Sequence, residues 1–299
     1  MGKQVYRSDK VFEIFATFIL GIIAVLTFLP FLLIVIASFT SEQSLISNGY
    51  SFFPKELSCD AYIYLINQAK IILRAYGISI LVTTVGTGSS ILLTSMLAYP
   101  LSRKDFKYRN ILSLLVFITM IFSGGVAPAY MMWTRIFHIK NTLFALILPN
   151  YLMNAFNIFL VRNYFSNSIP TEMIEAAKID GAGELKIFFK IMLPLSVPVI
   201  ATIGIFTGLL YWNDWINGLY YITQPQLYGI QNLLVRMLDN IQYLKSGAAS
   251  FAIGANAIEL PSNAVRMALA VIGILPIMVI FPFIQKYFIK GVVIGAVKG

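Results

Sequence analysis

Apolar runs alternate with shorter polar segments along the whole chain. A helix needs about 20 apolar residues to cross a hydrocarbon core about 30 Å thick. Six runs meet that length, at residues 14–39, 75–100, 110–132, 143–165, 191–215 and 264–288. They predict an all-α, polytopic membrane protein with six transmembrane helices, built as a single transmembrane domain over residues 1–299. The first run follows Lys3, Arg7 and Lys10, as the core of a secretory signal would. It exceeds the 7–15 residues typical of such a core, and no small-x-small cleavage site follows it. It therefore reads as an uncleaved helix, bent at Pro30. Gly124, Gly125 and Pro128 interrupt the third run, Pro149 the fourth, and Pro194 and Pro198 the start of the fifth. Broken backbone at membrane depth is tolerated where protein or a wet cavity satisfies it. These sites read either as the lining of a pathway or as ordinary kinks. Gly204-x-x-x-Gly208 in the fifth run is a close-packing face between helices.

Composition agrees with lipid as the solvent. The chain is 58% hydrophobic and 12% charged, against about 45–50% and about 25% in soluble domains. Its net charge of +9 reflects basic residues that flank the apolar runs. Fourteen of the 22 Lys and Arg fall on one side of the expected membrane, including Lys3, Arg7, Arg103, Lys104, Lys178, Lys186 and Lys298. The positive-inside rule makes that side cytoplasmic, so both termini and the segment around Glu175 lie in the cytoplasm, with loops 40–74 and 216–263 outside. No basic cluster with interleaved aromatics points to nucleic acid. A single Cys59 and a single His138, read as a loop residue, provide no transition-metal set. There is no H-E-x-x-H and no nucleophile paired with a base, which argues against an intramembrane enzyme. No G-x-x-x-x-G-K-S/T loop is present. Gly86-Thr87-Gly88-Ser89-Ser90 lacks the lysine and lies inside the second run, so neither nucleotide nor another cofactor is expected here.

One polar segment, residues 166–190, stands apart. Pro170 suits the first position of a helix, and Glu172 and Glu175 favour that helix's positive end. Met173, Ile174, Ala176, Ala177 and Ile179 give it a small apolar face. Asp180-Gly181 then signals a turn, with Gly181 free to adopt positive φ, and a second helix runs from Glu184 into the fifth span. The mixed charges fit a protein partner better than a lipid surface, where Lys/Arg-rich helices with bulky apolar faces prevail.

These residues carry a family resemblance. Glu175-Ala176-Ala177, Asp180-Gly181-Ala182, Phe188, Ile191, Leu193 and Pro194 resemble the cytoplasmic coupling loop of maltose-type (MalG-like) permeases of bacterial carbohydrate ABC importers. Ala98 to Arg103, Tyr211 to Asp214, and Lys290-Gly291 with Gly295 to Gly299 are also similar to that family, so the resemblance covers nearly the whole chain. The run Ser123 to Tyr130 is similar to a subgroup associated with complex oligosaccharides. The resemblance implies a permease domain of the type I ABC importer fold in the bacterial cytoplasmic membrane. It implies a second, homologous permease, a dimeric ATPase docked at Glu175, Ala176, Ala177, Asp180, Gly181 and Ala182, an extracellular solute-binding protein, and a sugar as substrate. ATP hydrolysis would belong to the partner.

The expected substrate path rests on few polar groups. Tyr211, Trp212, Asn213 and Asp214 cluster at the outer end of the fifth span, where rings stack on sugars and amides or carboxylates bind hydroxyls. The same residues also fit an interfacial belt and the shaping of the outer loop. Asn154 and Asn157 in the fourth span suit the lining or an interhelical hydrogen bond. Beyond them, Ile230, Leu233, Leu234, Met237, Leu238, Ile241 and Leu244 predict an amphipathic helix, with Gln231, Asn232, Arg236 and Asp239 on its polar side. The alternative class is an ion-gradient-driven secondary transporter, for which repeats or midplane charges would be expected. Neither is visible.

Overall fold

The computed structural model describes residues 7–245 and 262–296. Lys3 and Lys298, used above for orientation, and the last three residues of the carboxy-terminal motif lie outside the described residues. Described residues are almost wholly helical, with one isolated antiparallel bridge between Thr40 and Leu57. In chain order the helices are α1 (Arg7–Ser38), α2 (Glu42–Asn48), α3 (Asp60–Asn67), α4 (Ala69–Ser102), α5 (Arg109–Ile121), α6 (Val126–Met131) and α7 (Phe144–Ile147). There follow α8 (Ala155–Ser168), α9 (Thr171–Ile179), α10 (Glu184–Ile187), α11 (Leu193–Leu195), α12 (Val197–Trp212), α13 (Ile216–Tyr221), α14 (Ile230–Lys245) and α15 (Ser262–Ala296).

Among the described residues, three helices are long and apolar enough to cross a membrane unbroken, over Phe12–Ser38, Ala69–Ser102 and Asn263–Ile280. The remaining expected spans are broken. The third run bends by 114° between Ile121 and Val126, at Gly125 with φ +83°. The fifth bends by 80° at Ser196, between Pro194 and Pro198. The fourth run is not one helix: α7 stops at Ile147, and the chain turns through Asn150, at φ +69°, before α8 begins at Ala155. Pro149 removes a backbone donor there, and only Gly, Asn and Asp commonly take the left-handed conformation that follows.

Two compact units are formed, residues 1–70 with 237–276 and residues 71–236 with 277–299. In the first, Ala37, Leu45, Ala61, Leu65, Ala268 and Leu269 are buried. Phe39 stacks on Tyr62 at 4.6 Å, and the Tyr62 hydroxyl lies 2.8 Å from Ser38 Oγ. The Glu42 carboxylate accepts from the backbone amides of Asn263 (2.9 Å) and Ala264 (3.1 Å) at the start of α15. An anion there satisfies otherwise orphan amides and suits the helix dipole. The most apolar 18-residue stretch within Phe12–Ser38 is unburied by this chain, as expected of a surface that meets lipid or another subunit.

The second unit has two apolar layers. One gathers Ala98, Tyr99, Leu101, Val161, Phe165, Ile174, Ile187 and Phe188. The other gathers Val82, Ala145, Leu146, Ile147, Tyr211, Tyr221 and Ile222. Between them α4 and α12 approach closely through glycine. A Cβ on Gly86 would fall 2.6 Å from the Tyr211 ring, and one on Gly204 3.1 Å from Ile91. Packing is thus the work of Gly86 and of the Gly204/Gly208 pair. The amphipathic α14 forms over Ile230–Lys245 with Ile230, Leu233, Leu234 and Ile241 buried. Asn232, assigned by periodicity to the polar side, is instead 1% exposed. Its amide donates to the Trp215 carbonyl at 3.2 Å, which makes an inward position tenable.

Candidate functional site

The segment after α8 folds as a short helix, a turn and a second helix. Pro170 stands one residue before the first helical position, with extended ψ of 135°, and directs the chain into α9. Ile174 is the inward anchor, 3% exposed within the layer that holds Tyr99, Leu101 and Phe165. Glu172, Glu175 and Ala176 face outward, and Ala177 and Ala182 lie partly under the turn. Ile179 and Leu185 are 86% and 69% exposed, an apolar flank uncovered by this chain. The turn closes through the amides of Asp180 to Ala176 (3.0 Å), Gly181 to Lys178 (3.0 Å) and Ala182 to Ala177 (2.9 Å). Gly181 has φ +74°, and a Cβ there would meet nothing within 4 Å. The requirement for glycine within this chain is therefore conformational. Glu175, Ala176, Ala177, Asp180, Gly181 and Ala182 form one continuous element, with Glu175, Ala176, Asp180 and Gly181 presented outward and Ala177 and Ala182 half-buried.

Behind the turn lies an ionic cluster whose long-range partners, Tyr99, Arg103 and Asp105, sequence reasoning did not join to it. The Lys178 ammonium contacts Glu184 at 2.8 Å and Asp105 at 3.4 Å. Arg103 grips Asp105 with two bonds of 2.9 and 3.1 Å. The Tyr99 hydroxyl donates to Glu184. Hydrogen bonding from Arg103, with its charge, draws the Asp105 carboxyl down to about 2. Bonds from Lys178 and Tyr99 lower Glu184, and the Glu184 bond raises Lys178. The sequence hints were the run Ala98 to Arg103, which carries two of the five partners, and the mixed charges of the segment itself, which include Lys178 and Glu184.

The substrate-path candidates separate into two groups. Asn154, Asn157 and Asn213 meet, with Tyr151, Phe156, Phe206, Leu209 and Leu210, around an open-sided concavity of about 640 Å³. Asn154 caps α8 by accepting from the Asn157 amide at 3.2 Å. Asn157 is 5% exposed and donates to Thr207 Oγ1 of α12 at 3.3 Å. Asn213 is exposed at the end of α12. Tyr211 and Trp212 are placed elsewhere. They are 3% and 6% exposed, with the Tyr211 hydroxyl donating to the Ile147 carbonyl at 2.7 Å. An apolar helix carries no periodicity that distinguishes its inner face from its lipid face, so the sequence could not exclude them from the lining. Asp214 is held behind the rim, accepting from the Asn217 amide (3.1 Å) and the Tyr151 hydroxyl (3.5 Å). Asn150 donates to Asn217 at 2.9 Å and joins the broken fourth span to this loop.

The described residues contain no group of three or more His, Cys, Asp or Glu that could hold a metal ion.

Comparison with known proteins matches residues 90–294 to the family described as "Binding-protein-dependent transport system inner membrane component". The chain is 37% identical to Protein LplC of Bacillus subtilis (strain 168), over 98% of this chain and 97% of that protein. It is 36% identical to the polygalacturonan/rhamnogalacturonan transport system permease protein YtcP of the same organism, over 98% and 100%. Among solved structures it resembles a bacterial ABC transporter involved in the import of the acidic polysaccharide alginate. That likeness has a TM-score of 0.79 and 28% identity, and it covers 96% of this chain and 100% of that one.

Proposed function

The chain belongs to the binding-protein-dependent transport system inner membrane components, with the type I ABC importer permease fold, and from that premise we propose that it forms one half of an oligosaccharide-conducting pore. The observation that carries this reading is the pairing of two features in one unit. An outward-facing helix–turn stands at one end of α8, and an amide-lined concavity opens at the other. Asn154 precedes a helix of 14 residues, about 21 Å long at 1.5 Å per residue, and α9 follows directly. A push on the turn thus acts on the element that carries the concavity.

In this reading Glu175, Ala176, Ala177, Asp180, Gly181 and Ala182 dock into a dimeric ATPase, and both termini lie on the cytoplasmic side with it. The chain performs no chemistry itself; ATP is hydrolysed by the partner. A second, homologous permease closes the open side of the concavity, and an extracellular solute-binding protein delivers the sugar. Asn154, Asn157 and Asn213 offer both donors and acceptors to hydroxyls, and Tyr151 and Phe206 offer rings for stacking. The relatives named for polygalacturonan and alginate make acidic oligosaccharides the first substrates to test.

The decisive experiment reconstitutes the assembled importer in vesicles with its binding protein and short oligogalacturonides or raffinose. Uptake is expected to require hydrolysable ATP and to ignore ionophores that collapse ion gradients. Uptake that follows an ion gradient without ATP would overturn the proposal.

A further inference from the structure

The coupling reading leaves open how a movement of α9 reaches the pore helices. The covalent route runs through α10, a wider π-helical turn over Phe188–Met192, and the 80° bend at Ser196 before α12. Such irregular turns and bends are where helices yield. The alternative is α4, a single helix of 34 residues. At its cytoplasmic end stand Tyr99 and Arg103. Higher up, Gly86 touches the Tyr211 ring, and that ring packs edge-on against Tyr151 of the concavity at 5.4 Å between centroids. Gly86 and Ser102 are about 24 Å apart along the helix axis at 1.5 Å per residue.

Resting on the coupling reading above, we propose that the cluster of Lys178, Glu184, Asp105, Arg103 and Tyr99 is a brace that makes the turn after α9 and the end of α4 one mechanical body. Through it, movement of the coupling helix is delivered to α4. Lys178 is the central positioning residue, bridging carboxylates from the loop after α4 and from the start of α10. The groups turn back onto this chain, unlike Glu175 and Asp180, which face outward. Burial of Ile174 in the apolar layer that also holds Leu101 and Phe165 anchors α9 itself. Asp105, Lys178 and Glu184 are 59%, 38% and 56% exposed, and pairs so wetted add little to stability. What they add is register, since a bidentate Arg–carboxylate and an ammonium shared by two carboxylates admit few geometries. Loss of the brace therefore leaves folding and assembly intact and slackens transmission.

The test uses the whole importer in vesicles with short oligogalacturonides as the probe, and it reads sugar moved per ATP hydrolysed. Lys178→Met and Asp105→Asn are expected to lower that ratio about threefold or more, the scale of losing partly exposed ion pairs, with normal assembly. Lys178→Arg retains most of it. In a Cys59→Ser background, the Asp105→Cys, Lys178→Cys pair lacks the brace, and joining the two thiols with a short bismaleimide is expected to restore the ratio. Three results would overturn the proposal: unchanged ratios in Lys178→Met and Asp105→Asn, a cross-link that stops transport, or thiols that fail to react with the reagent in the assembled complex. If instead the wild-type complex moves sugar without ATP, it is the coupling reading that fails.

Discussion

Gly181 shows how much a single position can separate. Its φ of +74° disfavours side chains with a Cβ by about 1–2 kcal/mol, although Asn and Asp tolerate it better than most. No atom of this chain would contact the new side chain. Gly181→Asp should therefore fold and reach the membrane, yet, if the turn docks an ATPase as proposed, lose ATP-driven uptake because bulk and charge would intrude there. Gly181→Asn, of the same shape without the charge, separates the two causes, and normal uptake by Gly181→Asp would remove the turn from the coupling role. At the concavity, Asn213→Ala is expected to raise the half-saturating sugar concentration about three- to tenfold. That corresponds to one lost hydrogen bond of roughly 0.5–1.5 kcal/mol, with folding unchanged. For Asp105, the folded carboxyl sits at about 2 against an ordinary 3.8. Its ionised form is favoured by folding, so the contribution is complete above about pH 4 and vanishes as the pH falls towards 2. The difference in melting temperature between wild type and Asp105→Asn should be flat above that window and close within it. The gap is small, because the group is largely exposed.

Among the elements, the contact of α4 with α12 is the most exacting. Gly86→Ala would set a methyl inside the Tyr211 ring, and overpacking of this kind costs about 1–3 kcal/mol. The variant should melt earlier in detergent, and Tyr211→Leu should recover part of the loss; an unchanged midpoint in Gly86→Ala would mean that the contact is loose. Elements also mark the limit of what the pattern of residues conveys. Unbroken apolar length located α1, α4 and α15, because an all-apolar helix needs only length. The helix–turn–helix around Gly181 was legible for a different reason, since Pro170, the acidic first turn and Asp180-Gly181 are local signals with local causes. Pro149 was read as an interruption of the fourth span, but not as its full stop, because a proline in an apolar run fits a kink as well as a stop. The stop comes from Asn150, whose side chain finds Asn217 across 67 residues. Distance along the chain likewise hid the brace, for Tyr99 and Glu184 are 85 residues apart. The inward turn of Asn232 depended on a carbonyl that only the folded loop provides.

For the whole molecule, the uncovered apolar surface of α1 suits a life in lipid, and the basic residues predict which way round. The orientation can be tested with the native chain, because its single cysteine, Cys59, is exposed in the loop expected outside. A membrane-impermeant maleimide should label it in intact cells. Labelling only after the cells are broken would reverse the assignment of the termini. The concavity has a further bearing at this scale. Among the described residues it is open-sided, lined by Tyr151, Asn154, Phe156, Asn157, Phe206, Leu209, Leu210 and Asn213. If a partner is needed to close that side, as proposed, cells that make a surplus of this subunit are expected to keep their membrane potential, which a potential-sensitive dye would check. An unchanged potential would mean that synthesis of this subunit need not be closely matched to that of a partner for the membrane to stay sealed.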